Sequence, residues 1–150
     1  MSENKVNPIP ENYQRVIPYL IVKGAAGLMD FLKNVFSAEE IERMEMPDGS
    51  IAHGEVRIGD SVIMISEASD QYSANPTMLY VYVEDVDAVY KTALNNGGKS
   101  VREPADQFYG DRSCMVTDDT GNSWGIASHV EDVSPEEMGK RAAEAMQQKS

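Results

Sequence analysis

The sequence is poor in the residues that build disulfide frameworks and cysteine metal sites. Its 150 residues include a single cysteine, Cys114, which cannot form an internal disulfide or, alone, a cysteine-based zinc site. No apolar run approaches the roughly 20 residues that a membrane helix needs, and the polar N-terminal stretch lacks the apolar segment of a secretion signal. These absences predict a cytoplasmic protein with no membrane partner.

Basic residues are also scarce. The chain has 13 Lys and Arg against 25 Asp and Glu, which gives a net charge of −12. Binding to phosphate backbones depends on clustered basic side chains, so we expect no nucleic-acid partner. The acidity has two interpretations: it only keeps the protein in solution, or it creates a field that attracts a cationic ligand.

Two successive rounds of the same element order fill the middle of the chain. Val22 and Val83, 61 residues apart, each end a strand that precedes a helix, and Gly59 and Gly121, 62 residues apart, each lie in the turn before a last strand. This repeat predicts an α+β fold of two tandem βαβββ modules. The predicted elements are a strand at 17–22, a helix at 25–36, strands at 40–46, 51–58 and 62–65, a strand at 78–83, a helix at 86–96, and strands at 99–102, 112–117 and 123–128.

We assign the whole chain to a single domain with a C-terminal helix. Ser134 can cap that helix, and Pro135 suits its first position. Its thin apolar stripe is expected to pack on its own domain or on a second subunit. The predicted parts of the domain 1–150 are an irregular N-terminal arm, module one at about 16–66, module two at about 77–128, and the helical tail at 134–148.

Five segments, which span about residues 16–138, carry a family resemblance: PYLIVKGAAGLMDFLKNVFSAEEIERM, PDGSIAHGEVRIGDSVIMISE, YVYVEDVDAVYKTALNNGGKSV, FYGDR and DDTGNSWGIASHVEDVSPEEM. They resemble the PhnB-like branch of the glyoxalase/bleomycin resistance/dioxygenase (vicinal oxygen chelate) superfamily. The resemblance implies that two curved mixed sheets surround a cavity and that the protein is a homodimer. Superfamily members include isomerases, dioxygenases, thiol transferases and proteins that only sequester antibiotics, so the fold does not fix the function.

The same resemblance implies where a superfamily metal would bind. Metal-dependent members take ligands from the first and last strand of each module, which here correspond to Ile17, Ile63, Met78 and Gly125. None of these offers a hard donor, and a shift of one residue brings no usual ligand either. Asn122 stands where the family pattern often has a histidine. We therefore predict no cofactor and no metal at these positions.

His53 and Glu55 are the polar pair of the third predicted strand. Because alternate strand residues share a face, His53, Glu55 and Arg57 point one way, while Gly54 and Val56 point towards a helix. Arg57 is therefore predicted to be a ligand-binding residue. His53 and Glu55 could act as two ligands of a divalent metal, or Glu55 could orient His53 as a general base. The alternative is a partly solvated polar strand face without chemistry.

Tyrosines dominate the same face of the first strands. The alternation places Tyr19, Tyr80 and Tyr82 towards the cavity, where they suit a planar or amphipathic organic ligand. They could instead be core tyrosines with satisfied hydroxyls. Trp124 and Ile126 are expected to pack beneath the helices. Small residues of the last strand leave room on the cavity side: Ser123, Gly125 and Ala127.

A Tyr-Gly-Asp-Arg motif at 109–112 leads into a cavity strand. Tyr109 and Arg112 are predicted near the cavity mouth, where the Arg112 guanidinium could bind a carboxylate or phosphonate. The alternative is an Asp111–Arg112 surface pair that fixes the loop. Cys114 has no partner base, so we do not expect a nucleophile there.

These residues together favour a small-molecule binding protein that lacks the superfamily metal site. The alternative is a lyase or isomerase that uses His53 and Glu55, with or without a divalent metal. Whether any reaction is catalysed stays open from the sequence. His129, at the end of the last strand, is expected to be structural.

Overall fold

The computed structural model describes residues 5–148. The chain divides between Asn75 and Pro76 into two compact units, each of which contains one predicted module. The first four residues of the predicted arm and the last two residues of the predicted domain lie outside the described part. The elements are β1 (Tyr19–Val22), α1 (Ala25–Phe36), β2 (Glu39–Glu45), β3 (Ile51–Ile58), β4 (Ser61–Glu67), β5 (Met78–Tyr82), α2 (Val86–Asn95), β6 (Lys99–Asp106), β7 (Asp111–Thr117), β8 (Ser123–His129) and α3 (Pro135–Gln148).

Each unit contains one four-stranded mixed sheet. The strand orders are β1-β4-β3-β2 in sheet one and β5-β8-β7-β6 in sheet two. The first strand of each module is parallel to the last, and the other neighbours are antiparallel. The α+β fold with two βαβββ modules is therefore confirmed.

Helix α1 supplies the core of unit one because one side of it is apolar. Seven of its residues are buried, including Leu28, Met29 and Leu32. A carboxylate satisfies its first backbone donors: the N–H groups of Gly24 and Ala25 donate to Glu67 at 2.9 and 3.1 Å. An anion at this end also complements the helix dipole.

Helix α2 begins where the sequence predicts. Asp85 is its N-cap, and its side chain accepts a hydrogen bond from the Ala88 N–H at 3.1 Å. The helix ends before Gly97, whose φ of 94° suits glycine. Only Val86 and Ala93 of α2 are buried, so this helix contributes fewer buried residues to unit two than α1 contributes to unit one.

Most strand boundaries lie within two residues of the prediction, and proline explains the differences at β1 and β6. β1 begins at Tyr19 rather than at residue 17, because Pro18 lacks an N–H, although its carbonyl still accepts from Met64 N at 3.0 Å. β6 runs to Asp106 through Pro104, where the sequence predicts a loop. β6 is an edge strand with two register irregularities, and such a position tolerates a missing donor.

Strand alternation places the predicted core residues against the helices. A Cβ added at Gly54 would lie 2.6 Å from Met29 Sδ, so this side of β3 faces α1. Trp124 and Ile126 are fully buried, and Trp124 Nε1 donates to Asp118 Oδ2 at 2.7 Å. Both are core residues, as predicted.

Helix α3 begins as predicted, with the Ser134 hydroxyl accepting from Glu137 N at 3.2 Å. Arg141 fixes the helix to its own unit by contacts with Glu131 at 2.6 Å and with the Phe108 carbonyl at 3.2 Å. None of its described residues is buried. Among residues 5–148, no helix is long and apolar enough to cross a membrane.

Candidate functional site

The face of each sheet that points away from its helix carries the tyrosines, and we call it the tyrosine face. In sheet one, Tyr19 pairs with Met64, and Met64 pairs with Glu55, so the three share this face. In sheet two, Tyr80 pairs with Gly125, and a Cβ at Gly125 would lie 2.8 Å from the Tyr80 ring. The shared face that alternation predicts for these residues is confirmed.

Glu55 is the centre of the tyrosine face in unit one. It is 5% exposed, and it accepts a hydrogen bond from the Tyr13 hydroxyl at 2.5 Å through Oε1. His53 Nε2 lies 2.7 Å from the other oxygen, Oε2, and Tyr19 Oη lies 3.1 Å from His53 Nδ1. A continuous series of contacts thus runs from Tyr19 through His53 and Glu55 to Tyr13.

These contacts decide the ionisation of Glu55. Burial by itself raises the pKa of Glu55, but hydrogen bonds from Tyr13 and His53 outweigh it and hold that pKa below its ordinary value. The same hydrogen bond to Glu55 raises the pKa of Tyr13. At neutral pH the centre therefore holds a carboxylate and a neutral phenol.

The N-terminal arm forms a cleft of about 540 Å³ beside Glu55. Tyr13 belongs to this arm, and sequence patterns give no sign of it, because the arm has no periodicity that could predict contact with a strand. Arg57, predicted to bind a ligand, donates to the Asn12 carbonyl of the arm at 3.2 Å. The cleft is lined by Pro8, Ile9, Pro10, Tyr13, Gln14, Arg15, Ile17, Glu55 and Met64.

Glu42 joins His53 and Glu55 on this face. It pairs directly with Glu55 across β2 and β3, and one donor atom from each of the three side chains lies within 4.8 Å of the others. The sequence identified only two members of this group, because the register that brings Glu42 opposite Glu55 follows a bulge in β2.

Asp111 is the corresponding centre in unit two. Its carboxylate is almost fully buried and accepts hydrogen bonds from the Tyr80 and Tyr82 hydroxyls at 2.7 and 2.8 Å. His129 Nδ1 contacts its other oxygen at 2.9 Å, and His129 Nε2 contacts Asp132 at 2.7 Å. His129 therefore anchors Asp111 rather than simply ending a strand.

The ionisation of this cluster follows from its contacts. Burial raises the pKa of Asp111, but hydrogen bonds from His129, Tyr80 and Tyr82 outweigh it and lower that pKa overall. Burial, followed by the hydrogen bond to Asp111, raises the pKa of Tyr80, and the same carboxylate raises that of Tyr82. Asp111 and then Asp132 raise the pKa of His129.

Arg112 does not lie on the tyrosine face. It points to the opposite face, where it donates two hydrogen bonds to Asp87 of α2 at 2.9 and 3.0 Å and one to Asp106 at 3.2 Å. The prediction that Arg112 lies beside the ligand is wrong, since Asp111 and Arg112 are neighbours in β7 and must point to opposite faces. For the same reason they do not pair with each other.

Two further residues complete the tyrosine face of unit two. Tyr109 is the loop tyrosine that the sequence predicts near this face. It lies near Tyr80 and interacts with the Tyr80 hydroxyl. Arg102, which pairs with Met115, donates to the Ser113 carbonyl and hydroxyl, both at 3.1 Å. Arg102 is thus a basic side chain on this face, on an edge strand whose length the sequence under-predicts.

The positions predicted for a superfamily metal do not fit a hard ion. Ile63 is 4% exposed and pairs with Val56, so it faces α1, and the residue beside Tyr19 is Met64. This corrects the predicted position by one residue. Met64 and Gly125 then occupy equivalent places, and neither offers an oxygen or imidazole donor.

Cys114 and Asn122 serve the structure of unit two. Cys114 is fully buried, and burial raises the pKa of its thiol, which makes it a poor nucleophile. The Asn122 side-chain oxygen accepts from Thr77 N at 2.9 Å and so holds the start of β5 beside the turn before β8.

Comparison with known proteins gives one family and several relatives. The model of the family described as Glyoxalase/Bleomycin resistance protein/Dioxygenase superfamily matches residues 14–126. An uncharacterized protein of Mycobacterium bovis is 32% identical over 132 residues, which cover 81% of this chain and 87% of that protein. The match to the family model confirms the family that the sequence segments resemble.

Solved structures share the fold at lower identity. TioX from Micromonospora sp. ML1 has a TM-score of 0.67 and 22% identity, over 78% of this chain and 99% of its own. A PhnB protein from Bacillus cereus, described as a putative 3-demethylubiquinone-9 3-methyltransferase, has a TM-score of 0.63 and 18% identity, over 77% of this chain and 99% of its own. At these identities the likeness shows the fold alone.

Proposed function

The chain belongs to the Glyoxalase/Bleomycin resistance protein/Dioxygenase superfamily, and on that basis we propose that it binds a small organic molecule on its tyrosine faces. The ligand class that these faces suit best is an amphipathic cation with an aromatic or apolar body. Binding would not use the superfamily metal positions, which offer no hard donor.

The observation that carries this proposal is the exposure of tyrosine rings above buried carboxylates. Tyr19, Tyr80 and Tyr82 are 48%, 42% and 61% exposed, although each hydroxyl is already hydrogen-bonded. Core tyrosines bury their rings, whereas these rings offer apolar area and π faces to a ligand.

Charge favours a cation over an anion. Glu55 and Asp111 are held ionised by tyrosine and histidine donors, and the net charge of the chain is −12. Arg112, which could have bound an anionic group, is occupied by Asp87 on the other face. Arg102, on the tyrosine face of unit two, already donates to the carbonyl and hydroxyl of Ser113. An organic ammonium group can therefore approach a carboxylate while its apolar body covers a tyrosine ring.

Two probes of similar size and opposite charge test this preference. In NMR titrations, 2-phenylethylammonium should shift the resonances of the tyrosine faces, whereas 3-phenylpropionate should have little effect at the same concentration. Tyr82→Ala should weaken binding of the ammonium probe. Tyr72→Ala is the matched control, because Tyr72 is 58% exposed and lies in a loop outside both sheets. Equal binding of both probes, or equal loss in both variants, would contradict the proposal.

The His53 contacts favour a second candidate, an isomerase or lyase that abstracts a proton. His53 lies between Tyr19 at 3.1 Å and Glu55 at 2.7 Å, so its ring is oriented as a general base requires. His53 would remove a proton from a carbon next to a carbonyl and return one from solvent. Dihydroxyacetone in D₂O should then gain deuterium faster with the protein than with His53→Gln. Equal rates would leave only the binding function.

We further propose that the protein acts as a homodimer in the cytoplasm, without a nucleic-acid partner. The family resemblance supports the dimer, and the acidity opposes nucleic-acid binding. Analytical ultracentrifugation should give twice the chain mass of 16.5 kDa, and a value at the chain mass would contradict the dimer.

A further inference from the structure

We propose that Glu42, His53 and Glu55 form a binding site for a divalent transition-metal ion, with Zn²⁺ as the best fit. The site lies on β2 and β3 of unit one, not on the first and last strands where metal-dependent relatives are expected to bind theirs. It requires no organic ligand, so it stands or falls separately from the function proposed above.

The three side chains already have nearly the spacing that a metal ion needs. One donor atom from each lies within 4.8 Å of the others. A tetrahedral zinc ion holds its ligand atoms about 3.4 Å apart, given bond lengths of about 2.0–2.2 Å. Glu42 is exposed, so its carboxylate can rotate towards the two less exposed ligands without disturbing a packed core.

The negative charges of Glu42 and Glu55 also favour the binding of a cation at this site. Glu42 and Glu55 are direct cross-strand partners, and a carboxylate oxygen of each lies within 4.8 Å of the other. Like charges placed directly opposite destabilise a sheet, and Glu55 cannot move away because it is buried. A divalent ion between the two carboxylates would give each of them an attractive contact.

Outer residues hold two of the ligands in place. Tyr19 Oη contacts His53 Nδ1 at 3.1 Å, and the Tyr13 hydroxyl donates to Glu55 Oε1 at 2.5 Å. With a metal at His53 Nε2, the ring proton lies on Nδ1 and is donated to Tyr19. Such outer contacts, here from two further segments of the chain, fix the ligand tautomer and orientation in metal sites.

The donor set selects the ion. One imidazole nitrogen and two carboxylates suit Zn²⁺ better than Ca²⁺, which takes six to eight oxygen ligands, and Mn²⁺ is expected to bind more weakly than Zn²⁺. Three protein ligands leave at least one coordination position open. Glu55 lines the cleft of about 540 Å³, so water can reach that position.

Calorimetric titration of chelator-treated protein with ZnCl₂, MnCl₂ and CaCl₂ tests the site. We expect one zinc ion per chain, weaker binding of manganese, and the weakest binding of calcium. Tyr19→Phe should weaken zinc binding about 10–100-fold, as loss of an outer contact does. Glu42→Gln and His53→Gln each remove a ligand and should weaken it more. Glu39→Gln and His129→Gln, which remove a carboxylate from the same strand and the other histidine, should not.

A second measurement locates the ion independently of affinity. Mn²⁺ should broaden the NMR resonances of β2 and β3 in the wild type but not in Glu42→Gln, whose exposed substitution is expected to leave the fold intact by circular dichroism. Zinc binding that is unchanged in both Glu42→Gln and His53→Gln would overturn the site. So would titrations that fail to saturate. Neither result depends on whether 2-phenylethylammonium binds.

Discussion

Glu55 and Asp111 are buried carboxylates whose hydrogen bonds come from tyrosine and histidine, not from lysine or arginine. A tyrosine hydroxyl stabilises the ionised form without cancelling its charge. Each cluster therefore keeps a negative charge near the sheet surface when its histidine is neutral. The hydrogen bonds from tyrosine therefore leave a negative charge on the tyrosine faces, which supports the proposed cationic ligand.

Replacing Asp111 should change the titration of His129. The contacts with Asp111 and Asp132 raise the pKa of His129 above its ordinary value of 6.5. In Asp111→Asn that pKa should fall towards 6.5, which ¹H–¹⁵N NMR of the imidazole can follow. Asp132→Asn should have a smaller effect, since Asp111 is the stronger partner.

The pH dependence of stability that follows from the pKa shifts of His129 and Asp111 can also be measured. A raised His129 pKa stabilises the fold below pH 6.5, and this contribution is lost as pH rises through the folded-state pKa. The lowered Asp111 pKa stabilises it above its ordinary value of 3.8 and is lost as pH falls through the folded-state pKa. Asp111→Asn should therefore unfold more easily near neutral pH than the wild type, with a smaller difference in strong acid. An unchanged urea midpoint at neutral pH would contradict this.

Substitutions of Tyr80 test whether the tyrosine face is a binding surface or part of a packed core. Tyr80→Phe removes one hydrogen bond to Asp111, so the free energy of unfolding should fall by about 1 kcal/mol. Tyr80→Ala should cost less than the about 3–5 kcal/mol of a core aromatic, because the ring is 42% exposed. Urea denaturation gives both values, with buried Leu32→Ala as the control, for which about 2–5 kcal/mol is expected. Unfolding of Tyr80→Ala, together with unchanged ligand affinity in Glu55→Gln, would make these residues core.

Alternation along a strand predicts which residues share a face, but not what covers or pairs with them. Alternation therefore predicts that His53, Glu55 and Tyr19 share one face of sheet one, and that Tyr80 and Tyr82 share one face of sheet two. Tyr13 and Glu42 were missed, since their contacts depend on the path of an irregular arm and on a bulged register. Arg112 does not lie on the tyrosine face, because it follows Asp111 directly in β7 and neighbouring residues of a strand point to opposite faces.

At the scale of the element, the sequence predicts helices better than edge strands. Helix α1 was predicted to the residue, because apolar spacing and a glycine start define it. β6 was predicted too short, because proline reads as a loop signal unless the strand is known to lie at an edge. Edge position depends on strand order, which local patterns do not contain.

The loop before β7 depends on a single glycine. Gly110 has a φ of 99°, and a Cβ there would collide with the Glu131 carbonyl oxygen. Gly110→Ala should lower the free energy of unfolding by more than the about 1–3 kcal/mol of backbone strain alone, and it should displace Asp111. Gly121→Ala is the matched control, since its φ is 91° but its Cβ would have no neighbour within 4 Å. Equal urea midpoints for the two variants would show that the predicted collision is relieved at no cost.

Over the whole molecule, the two repeated modules share the same strand register, but their buried carboxylates lie at different positions. Tyr19 pairs with Met64 as Tyr80 pairs with Gly125, so the two modules share one register. The buried carboxylates differ in place, since Glu55 lies in the middle of β3 and Asp111 begins β7. The repeat therefore predicts the fold, whereas the residues of each site depend on contacts that are specific to its own unit.

The net charge of −12 is a property of the whole chain, and its two interpretations differ in their response to salt. If the field attracts a cationic ligand, screening should weaken binding of 2-phenylethylammonium as NaCl rises from 0.01 to 1 M, over which the screening length falls from about 30 to about 3 Å. NMR titration at several salt concentrations measures this, with neutral 2-phenylethanol as the control, whose affinity should not fall. A cation affinity that is independent of salt would mean that local contacts alone bind the ligand. The acidity of the chain would then serve only to keep the protein in solution.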